Sequence, residues 1–351
     1  MAGIDWRKLY ATNQAALARA GVRPSKGLQL AALRTPGSRA TSPAGVERVS
    51  TAVTSSQRAL VHVPRRLDAT QPAPLVCMLH GCTQDPATFA AATLMNDAAD
   101  RHNFVVVYPG QDRRRNAQGC WNWFLPDHQQ RGAGEPAAIA GIVGDLIAPN
   151  SQFTIDPGRV FVAGLSSGGA MAAVLGACYP DLFAAVAVHS GLAYRSATSM
   201  GSAFDAMARG REGADLQDDA ALPGIDRNAR RVPSMVVHGT ADQTVAPANA
   251  IHVLRQSMIA NHLAAPETCN HDAEDPTSSW RGQSDGGHPY TQSQWTDANG
   301  TLTHELLMID GLGHAWSGGA AGGSYTDSHP PCATAAIWAF FATTSARAAG
   351  G

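Results

Sequence analysis

The chain has 351 residues, with 26 basic and 28 acidic side chains and a formal net charge of −2. Hydrophobic residues make up 44% of the sequence and charged residues 15%, which is typical of a globular protein of enzyme size and excludes disordered, collagen-like and coiled-coil proteins. The near balance of charge also excludes a polycationic surface, so nucleic acid is not a predicted partner.

The N-terminal 40 residues are basic, with seven Lys or Arg side chains against one acid, Asp5. Charged and polar residues interrupt every apolar run within the first thirty residues, so the sequence predicts no secretory signal peptide there. The apolar residues of segment 5–20 recur at helical spacing, which indicates a basic amphipathic helix that either docks on its own domain or touches a lipid or polymer surface. We therefore predict a basic arm and linker over residues 1–45 and one folded domain over residues 46–345.

From about residue 58, short β-branched apolar runs alternate with longer helical stretches, which predicts an α/β fold with a mostly parallel central sheet flanked by helices. Ligands bind beyond the carboxyl ends of such strands, so polar residues that follow them are candidates for a site. Segments 196–231 and 264–301 are polar and irregular and are predicted to be insertions or lids. Residues 160–180 are uncharged but glycine-rich, which favours a buried strand, turn and helix over a transmembrane segment. The six predicted strands are Leu75–Leu79, Phe104–Tyr108, Val160–Ala163, Ala185–Val188, Met235–Val237 and Glu305–Ile309.

The pentapeptide Gly164–Gly168 has the pattern G-x-S-x-G, which holds a nucleophilic serine at a sharp turn between a strand and a helix. A predicted strand precedes it, and the helix-forming run Ala170–Tyr179 follows. This context predicts Ser166 as a nucleophile, against the alternative of a plain Gly-Ser turn. Ser284 has the same spacing but lies between polar segments, so we exclude it.

A serine hydroxyl needs a positioned base to take its proton, and the base needs a carboxylate to orient it. Asp242 follows the strand Met235–Val237, and His314 follows the strand Glu305–Ile309. Alone, each fits a turn-forming aspartate or a loop histidine. The chain order Ser, Asp, His is the order expected of an α/β-hydrolase, so the set favours a triad of Ser166, Asp242 and His314.

Ester hydrolysis develops negative charge on the carbonyl oxygen, and two backbone N–H groups should donate hydrogen bonds to it. One is expected from Ser167, the residue after the nucleophile. The other is expected from the loop after Leu75–Leu79, where Cys82 lies. We therefore predict an oxyanion hole made by the amides of Cys82 and Ser167.

The chain resembles the esterase / poly(3-hydroxybutyrate) depolymerase family, which is related to feruloyl and acetylxylan esterases. The resemblance spans residues 58 to about 341 and implies an α/β-hydrolase catalytic domain with the same triad and oxyanion hole and no cofactor. Many secreted members also carry a signal peptide, a linker and a polymer-binding domain, for which no counterpart is evident here. The matching segments are His80–Gln84, Tyr108–Gln111, Cys120–Phe124, Gly164–Met171 and Gly313–Trp316.

The six cysteines are too few for a disulfide scaffold and leave many pairings open. The resemblance suggests a bridge between Cys82 and Cys120, which would tie the oxyanion loop to the tryptophan-containing loop. Cys269 and Cys332 are candidates for a second bridge.

A zinc site made by Cys269, His271, His329 and Cys332 is a weaker alternative, because short Cys-x-His and His-x-x-Cys spacings permit it. We expect no metal.

Three tryptophans, Trp121, Trp123 and Trp316, lie in the motifs next to the expected oxyanion and base loops. Their flat rings could bind a repeating ester or a phenolic ring. The alternative is that they are packing residues of the core.

The sequence thus predicts a serine esterase that hydrolyses carboxylic esters through an acyl-enzyme. The resemblance favours poly(3-hydroxybutyrate) or its oligomers as substrate, with feruloyl or acetyl esters of plant polysaccharide as the alternative. A catalytically silent binding protein and an acyltransferase on the same scaffold are further alternatives. The expected partner is a polyester or small ester, and no oligomeric state is predicted. The resemblance implies an extracellular or periplasmic location, whereas the absence of a predicted signal peptide favours the cytoplasm.

Overall fold

A computed structural model describes residues 49–53, 58–68, 70–210, 230–264 and 272–346. The predicted basic arm and linker over residues 1–45 lie outside the described residues, so the prediction for them is not tested. The described strands, in chain order, are β1 (Val49–Val53), β2 (Arg58–His62), β3 (Ala73–Leu79), β4 (Val105–Pro109), β5 (Ile155–Leu165), β6 (Ala185–His189), β7 (Ser234–Gly239), β8 (Ser278–Gln283), β9 (Pro289–Thr296), β10 (Leu302–Ile309), β11 (Trp316–Ser317) and β12 (Thr326–Asp327).

Two of the described helices begin at side-chain caps. Asp85 caps the first helix by accepting a 2.8 Å hydrogen bond from the amide of Thr88, and Ser199 and Ser202 form a capping box at the fifth. None of the described helices is both long and apolar enough to cross a membrane. The helices are α1 (Pro86–Thr93), α2 (Met95–His102), α3 (Gly134–Ile147), α4 (Ser167–Cys178), α5 (Met200–Arg209), α6 (Ala248–Ala264) and α7 (Ala333–Ala346), with a short 3-10 turn at Pro126–His128.

The main sheet has the strand order β1-β2-β4-β3-β5-β6-β7-β10-β9-β8. Its centre, from β4 to β10, is parallel, whereas both margins are antiparallel. The six central strands are those predicted from the sequence, so the α/β fold class is confirmed. The sequences of these strands are mostly apolar because helices cover both faces of the sheet.

Alternate residues of each central strand face opposite sides of the sheet. On one side, Leu75, Cys77 and Leu79 of β3 belong to a core that also contains buried residues of α3, α4 and α6. On the other side, Val76 and Met78 belong to a core with α1, α2 and α7. The molecule is therefore built in three layers, and the carboxyl ends of the parallel strands open at one edge between them.

The prediction of irregular structure over residues 264–301 was wrong in part. Strands β8 and β9 lie within it and extend the sheet as an antiparallel pair. Strand β8 is largely exposed, so its sequence has no apolar run to mark it. Ser284, which we excluded as a nucleophile, lies in the exposed turn between these two strands. In segment 196–231, α5 is described and residues 211–229 are not.

His304 of β10 is a fully buried histidine away from the strand ends. Its Nε2 lies 3.1 Å from the side-chain amide nitrogen of Asn261, which can only donate, so Nε2 accepts. Burial lowers the pKa of His304 to about 4. The folded protein therefore holds this ring neutral.

We predict that His304 makes the fold acid-sensitive. An unfolded histidine has a pKa of about 6.5, so between about pH 6.5 and pH 4 the unfolded chain binds more protons than the folded one. The stabilisation that the neutral ring of His304 contributes to the folded state is complete above about pH 6.5 and is lost as the pH falls towards 4. His304→Gln, which does not titrate, should remove about 2 kcal/mol of the stability lost between pH 7 and pH 5. Urea unfolding at both pH values measures this.

The matched control is His102→Gln, which changes an exposed histidine at the end of α2. It should leave the pH dependence of unfolding as in the wild type. If His304→Gln also leaves it unchanged, the neutral buried state of His304 is disproved.

Candidate active site

Ser166 lies at the sharp turn between the end of β5 and the start of α4. Its backbone has φ 58° and ψ −120°, in the positive-φ region that residues with a side chain rarely adopt. The Ser166 amide donates a 2.9 Å hydrogen bond to the carbonyl of His189, at the end of neighbouring strand β6. A Cβ on Gly164 would overlap the backbone of Gly168, and one on Gly168 would overlap the carbonyl of Leu79. The two glycines therefore permit the close approach that the turn requires.

Asp242 and His314 meet at the same edge of the sheet. Asp242 follows β7, His314 follows β10, and Nδ1 of His314 lies 2.7 Å from Oδ2 of Asp242. The other carboxylate oxygen accepts 2.9 Å hydrogen bonds from the amides of Thr244 and Val245. Burial alone would raise the pKa of Asp242, but the hydrogen bond and charge of His314 and the Val245 amide lower it overall. An ionised Asp242 accepts a hydrogen bond from the Nδ1–H group of His314, which leaves Nε2 as the basic nitrogen.

Of the three predicted catalytic residues, Asp242 and His314 are in direct contact, and Ser166 lies at the same edge of the sheet. Ser166, Asp242 and His314 all follow the carboxyl ends of parallel strands in the central sheet. Within the described part of the chain, the hydroxyl of Ser166 makes no hydrogen bond, to His314 or to another residue. This hydroxyl therefore has its donor and acceptor capacity open.

Two further histidines lie beside this pair and were missed by sequence reasoning. Nε2 of His238 lies 2.9 Å from the carbonyl of Val245, to which it donates, and 3.5 Å from Oδ2 of Asp242. Burial lowers the pKa of His238. The pKa of His189 is lowered to about 3, mainly by burial and to a smaller extent by repulsion from His238 and His314. Both rings are therefore neutral at neutral pH. The only signal in the sequence was that each histidine ends, or nearly ends, an apolar strand.

The predicted oxyanion donors lie next to each other. Ser167 is the first residue of α4, and Cys82 lies in the turn after β3. Oγ of Ser167 is 3.5 Å from Sγ of Cys82. Neither backbone N–H has an acceptor among the described residues. For Ser167 this follows from its place in the helix, since the first amides of a helix have no partner within it. The positive end of the helix dipole adds to the attraction for an anion at this point.

The structure contains the Cys82–Cys120 disulfide that the resemblance implied. It ties the turn that carries the Cys82 amide to the loop that follows β4. Cys332 forms no disulfide with a described cysteine, and Cys269 lies outside the described residues, so the second bridge stays a prediction. His271 lies outside them as well.

Glu135, at the start of α3, is a fully buried carboxylate that sequence reasoning also missed. It accepts hydrogen bonds from the side chain of Gln111 at 2.5 Å and from the amide and side chain of Asn122 at 2.7 and 2.6 Å. The amide of Gln111 in turn donates to Nε2 of His80, in the loop after β3. Burial alone would raise the pKa of Glu135, but bonds from His128 and Gln111 lower it overall. Glu135 thus holds segment 111–122 against the oxyanion turn.

The three tryptophans do not present flat surfaces to solvent. Trp121 and Trp316 are fully buried, and Trp123 is 4% exposed. The indole of Trp121 donates to the carbonyl of His80, and Trp316 stacks on His189 at a centroid distance of 5.0 Å. The expectation of substrate contact is therefore corrected: these rings pack behind the site and support the loops that form it.

We predict that Glu135→Gln weakens both the fold and ester hydrolysis. The new amide group would place its own N–H against donors of Gln111 or Asn122, which costs about 1–3 kcal/mol. The displaced loop should lower kcat for a p-nitrophenyl ester more than it changes KM. Urea unfolding and steady-state kinetics measure the two effects.

The control for Glu135→Gln is Asp145→Asn, an exposed acid on the same helix α3. It should behave as the wild type in both assays. Equal kcat in Glu135→Gln and wild type would show that this carboxylate does not position the loop.

We also predict that the Cys82–Cys120 bridge is needed for full activity. Removing one oxyanion donor costs about 10²–10³ in kcat, so a turn that is only loosened should lose at least about tenfold. Dithiothreitol and Cys120→Ala should therefore each lower kcat. Cys332→Ser should keep both the wild-type rate and its sensitivity to reduction, because Cys332 is not part of the Cys82–Cys120 bridge. Unchanged activity after complete reduction, verified by thiol titration, would contradict the prediction.

The chain is similar in sequence and in fold to known esterases. A model of the family described as Esterase PHB depolymerase matches residues 59–274. Poly(3-hydroxyalkanoate) depolymerase C of Paucimonas lemoignei is 38% identical over 255 residues, which cover 72% of this chain and 57% of that protein. Feruloyl esterase B of Neurospora crassa is 33% identical over 210 residues, which cover 57% of this chain and 68% of that protein.

The chain spans between about half and two thirds of the length of the curated relatives it matches. Among solved structures, an acetyl xylan esterase from Aspergillus awamori superposes with a TM-score of 0.65 at 20% identity, covering 84% of this chain and 99% of that one. The likeness at this identity shows a shared α/β-hydrolase fold. Because the family model covers more than half of the chain, including the turn at Ser166, the chain belongs to the Esterase PHB depolymerase family.

Proposed function

We propose that this protein is a serine esterase in which Ser166, His314 and Asp242 act as a catalytic triad. The observation that carries the proposal is the 2.7 Å contact between His314 and Asp242 at the sheet edge where the strained turn holds Ser166. Membership of an esterase family supports the same reaction class. The folded region from residue 46 to about residue 345 would be the catalytic domain.

In the proposed reaction, Nε2 of His314 takes the proton of Ser166 as Oγ attacks the ester carbonyl carbon. The carbonyl oxygen becomes an oxyanion and accepts hydrogen bonds from the amides of Cys82 and Ser167. The tetrahedral intermediate collapses to an acyl-enzyme when the C–O bond breaks and His314 returns the proton to the leaving alkoxide. Water, deprotonated by the same histidine, then releases the acid and restores the serine. Each oxyanion donor contributes about 3–4 kcal/mol to the transition state.

For the substrate we propose poly(3-hydroxybutyrate) or its oligomers. The support is the name of the family and of the depolymerase from Paucimonas lemoignei, which covers more of this chain than the feruloyl esterase does. The feruloyl esterase of Neurospora crassa supports a phenolic ester as the second candidate. An oxidising location, outside the cell or in the periplasm, fits the disulfide at the oxyanion turn.

The test combines active-site labelling with two substrates. A fluorophosphonate probe should label the wild type and not Ser166→Ala. The same variant should lower hydrolysis of an amorphous poly(3-hydroxybutyrate) suspension by at least about 10⁴-fold. Ser284→Ala is the matched control, since Ser284 has the same G-x-S-x-G spacing but lies in an exposed turn. It should keep full labelling and activity.

Methyl ferulate, assayed in parallel, separates the candidate substrates. Release of ferulate without release of 3-hydroxybutyrate would keep the triad and overturn the polyester assignment. Ester products formed with added alcohol in preference to free acid would indicate an acyltransferase. A folded wild type that neither takes the probe nor hydrolyses either substrate would point to a silent binding protein.

A further inference from the structure

Three side chains suited to metal binding meet outside the candidate active site. His288 lies directly before β9, Asp327 ends β12, and His329 follows two residues later. One ligand atom of each lies within 4.8 Å of the other two. Nε2 of His288 is 3.0 Å from one oxygen of Asp327, and Nδ1 of His329 is 2.7 Å from the other.

Two imidazoles and one carboxylate form a ligand set that zinc uses when a fourth position stays open to water. With zinc-to-ligand distances of about 2.0–2.2 Å, tetrahedral ligand atoms lie about 3.3 Å apart. The two contacts to Asp327, at 3.0 and 2.7 Å, are shorter than this and involve different oxygens, and the ligand atoms of the two histidines lie within 4.8 Å of each other. Rotation of the three side chains would bring the ligand atoms to the distances that the ion requires. The side chains of His288, Asp327 and His329 are 23%, 24% and 63% exposed, so an ion from solvent can reach them.

The cluster also borders the loop that carries His314. The amide of Asp310 donates a 2.8 Å hydrogen bond to the carbonyl of Pro289, next to His288. A Cβ on Gly311 would lie 3.8 Å from Nδ1 of His288. An ion held at this point would therefore link segment 327–329 to the start of β9, which contacts the loop that carries His314.

A second connection runs through the small sheet. Asp327 pairs with Ser317 in the ladder of β11 and β12, and its carbonyl accepts a 3.0 Å hydrogen bond from the amide of Gly319. Strand β11 begins two residues after His314, whose ring meets Tyr325 edge-on at a centroid distance of 6.3 Å. The three ligands thus lie on segments that flank the base loop from both sides.

We propose that His288, Asp327 and His329 form a binding site for a divalent transition metal, with Zn²⁺ as the best match, and that the bound ion stabilises the loop carrying His314. Binding replaces the two imidazole-to-carboxylate hydrogen bonds by three bonds to the metal. The protons displaced from Nε2 of His288 and Nδ1 of His329 move to the other ring nitrogen or to solvent. The ion takes no part in ester cleavage, because none of its ligands is a predicted catalytic residue.

The test is calorimetric titration of the full chain, free of any purification tag and treated with EDTA, with zinc chloride. We expect one saturable site per chain. At a free zinc concentration about 100 times Kd, Tm should rise by about 5 °C. Asp327→Asn and His288→Gln should each weaken zinc binding by more than about tenfold and remove most of the Tm shift.

Two controls separate a lost ligand from a lost fold. His102→Gln removes an exposed histidine outside the cluster and should bind zinc as the wild type does. The Tm of each ligand variant in EDTA shows whether it folds, and His329→Gln, at the most exposed ligand, serves if the other variants do not.

Two outcomes would overturn the proposal. One is the absence of saturable zinc binding by the folded wild type. The other is binding that survives His288→Gln but is lost in Cys332→Ser, which would assign the ion to the cysteine-containing alternative considered from the sequence. Both outcomes concern metal binding alone and are independent of whether Ser166 reacts with esters.

Discussion

The close approach of β5 and α4 at Ser166 is the constraint on which the rest of the site depends. A serine with φ 58° is strained, and it persists only because the surrounding contacts hold it. Gly164 and Gly168 omit the Cβ atoms that would keep strand and helix apart, so α4 packs directly on the end of β3. The same contact brings the amide of Ser167, with the positive end of the helix dipole, beside Cys82. One packing arrangement therefore places both the proposed nucleophile and the first proposed oxyanion donor.

The position of the second proposed oxyanion donor, the amide of Cys82, depends on a buried polar network rather than on the sheet. A buried carboxylate is costly unless hydrogen bonds satisfy it, and Glu135 is satisfied only when Gln111 and Asn122 point inward. Loop conformations that leave Glu135 unpaired are thus disfavoured. The Cys82–Cys120 bridge links the same two segments covalently. In the proposed reaction, both restraints would orient the Cys82 amide before a substrate arrives, and an oxyanion hole fixed in this way avoids the cost of reorganisation.

The parts of the fold that were predictable are those that a local pattern encodes. The six central strands are buried on both faces, so each is an apolar run, and Ser166, Asp242 and His314 each follow such a run. Strand β8 is an exposed edge without that pattern, and it was missed. The role of Glu135 depends on partners 13 and 24 residues away, which no periodicity reveals. The sequence around Trp316 does not show whether its ring faces the substrate or the core. Its complete burial in the structure places the ring in the core.

Burial also explains how one histidine among three neighbours can serve as the base. His189, His238 and His314 lie around the carboxylate of Asp242, and protonation of either buried ring would repel the imidazolium that forms on His314 during the proposed reaction. Desolvation prevents this by lowering the pKa of both buried rings. The Nε2–H group of His238 donates its 2.9 Å hydrogen bond to the carbonyl of Val245 and lies farther, at 3.5 Å, from Asp242 than His314 does at 2.7 Å. The short contact of His314 with Asp242 leaves the opposite nitrogen, Nε2, for the role of base in the proposed reaction.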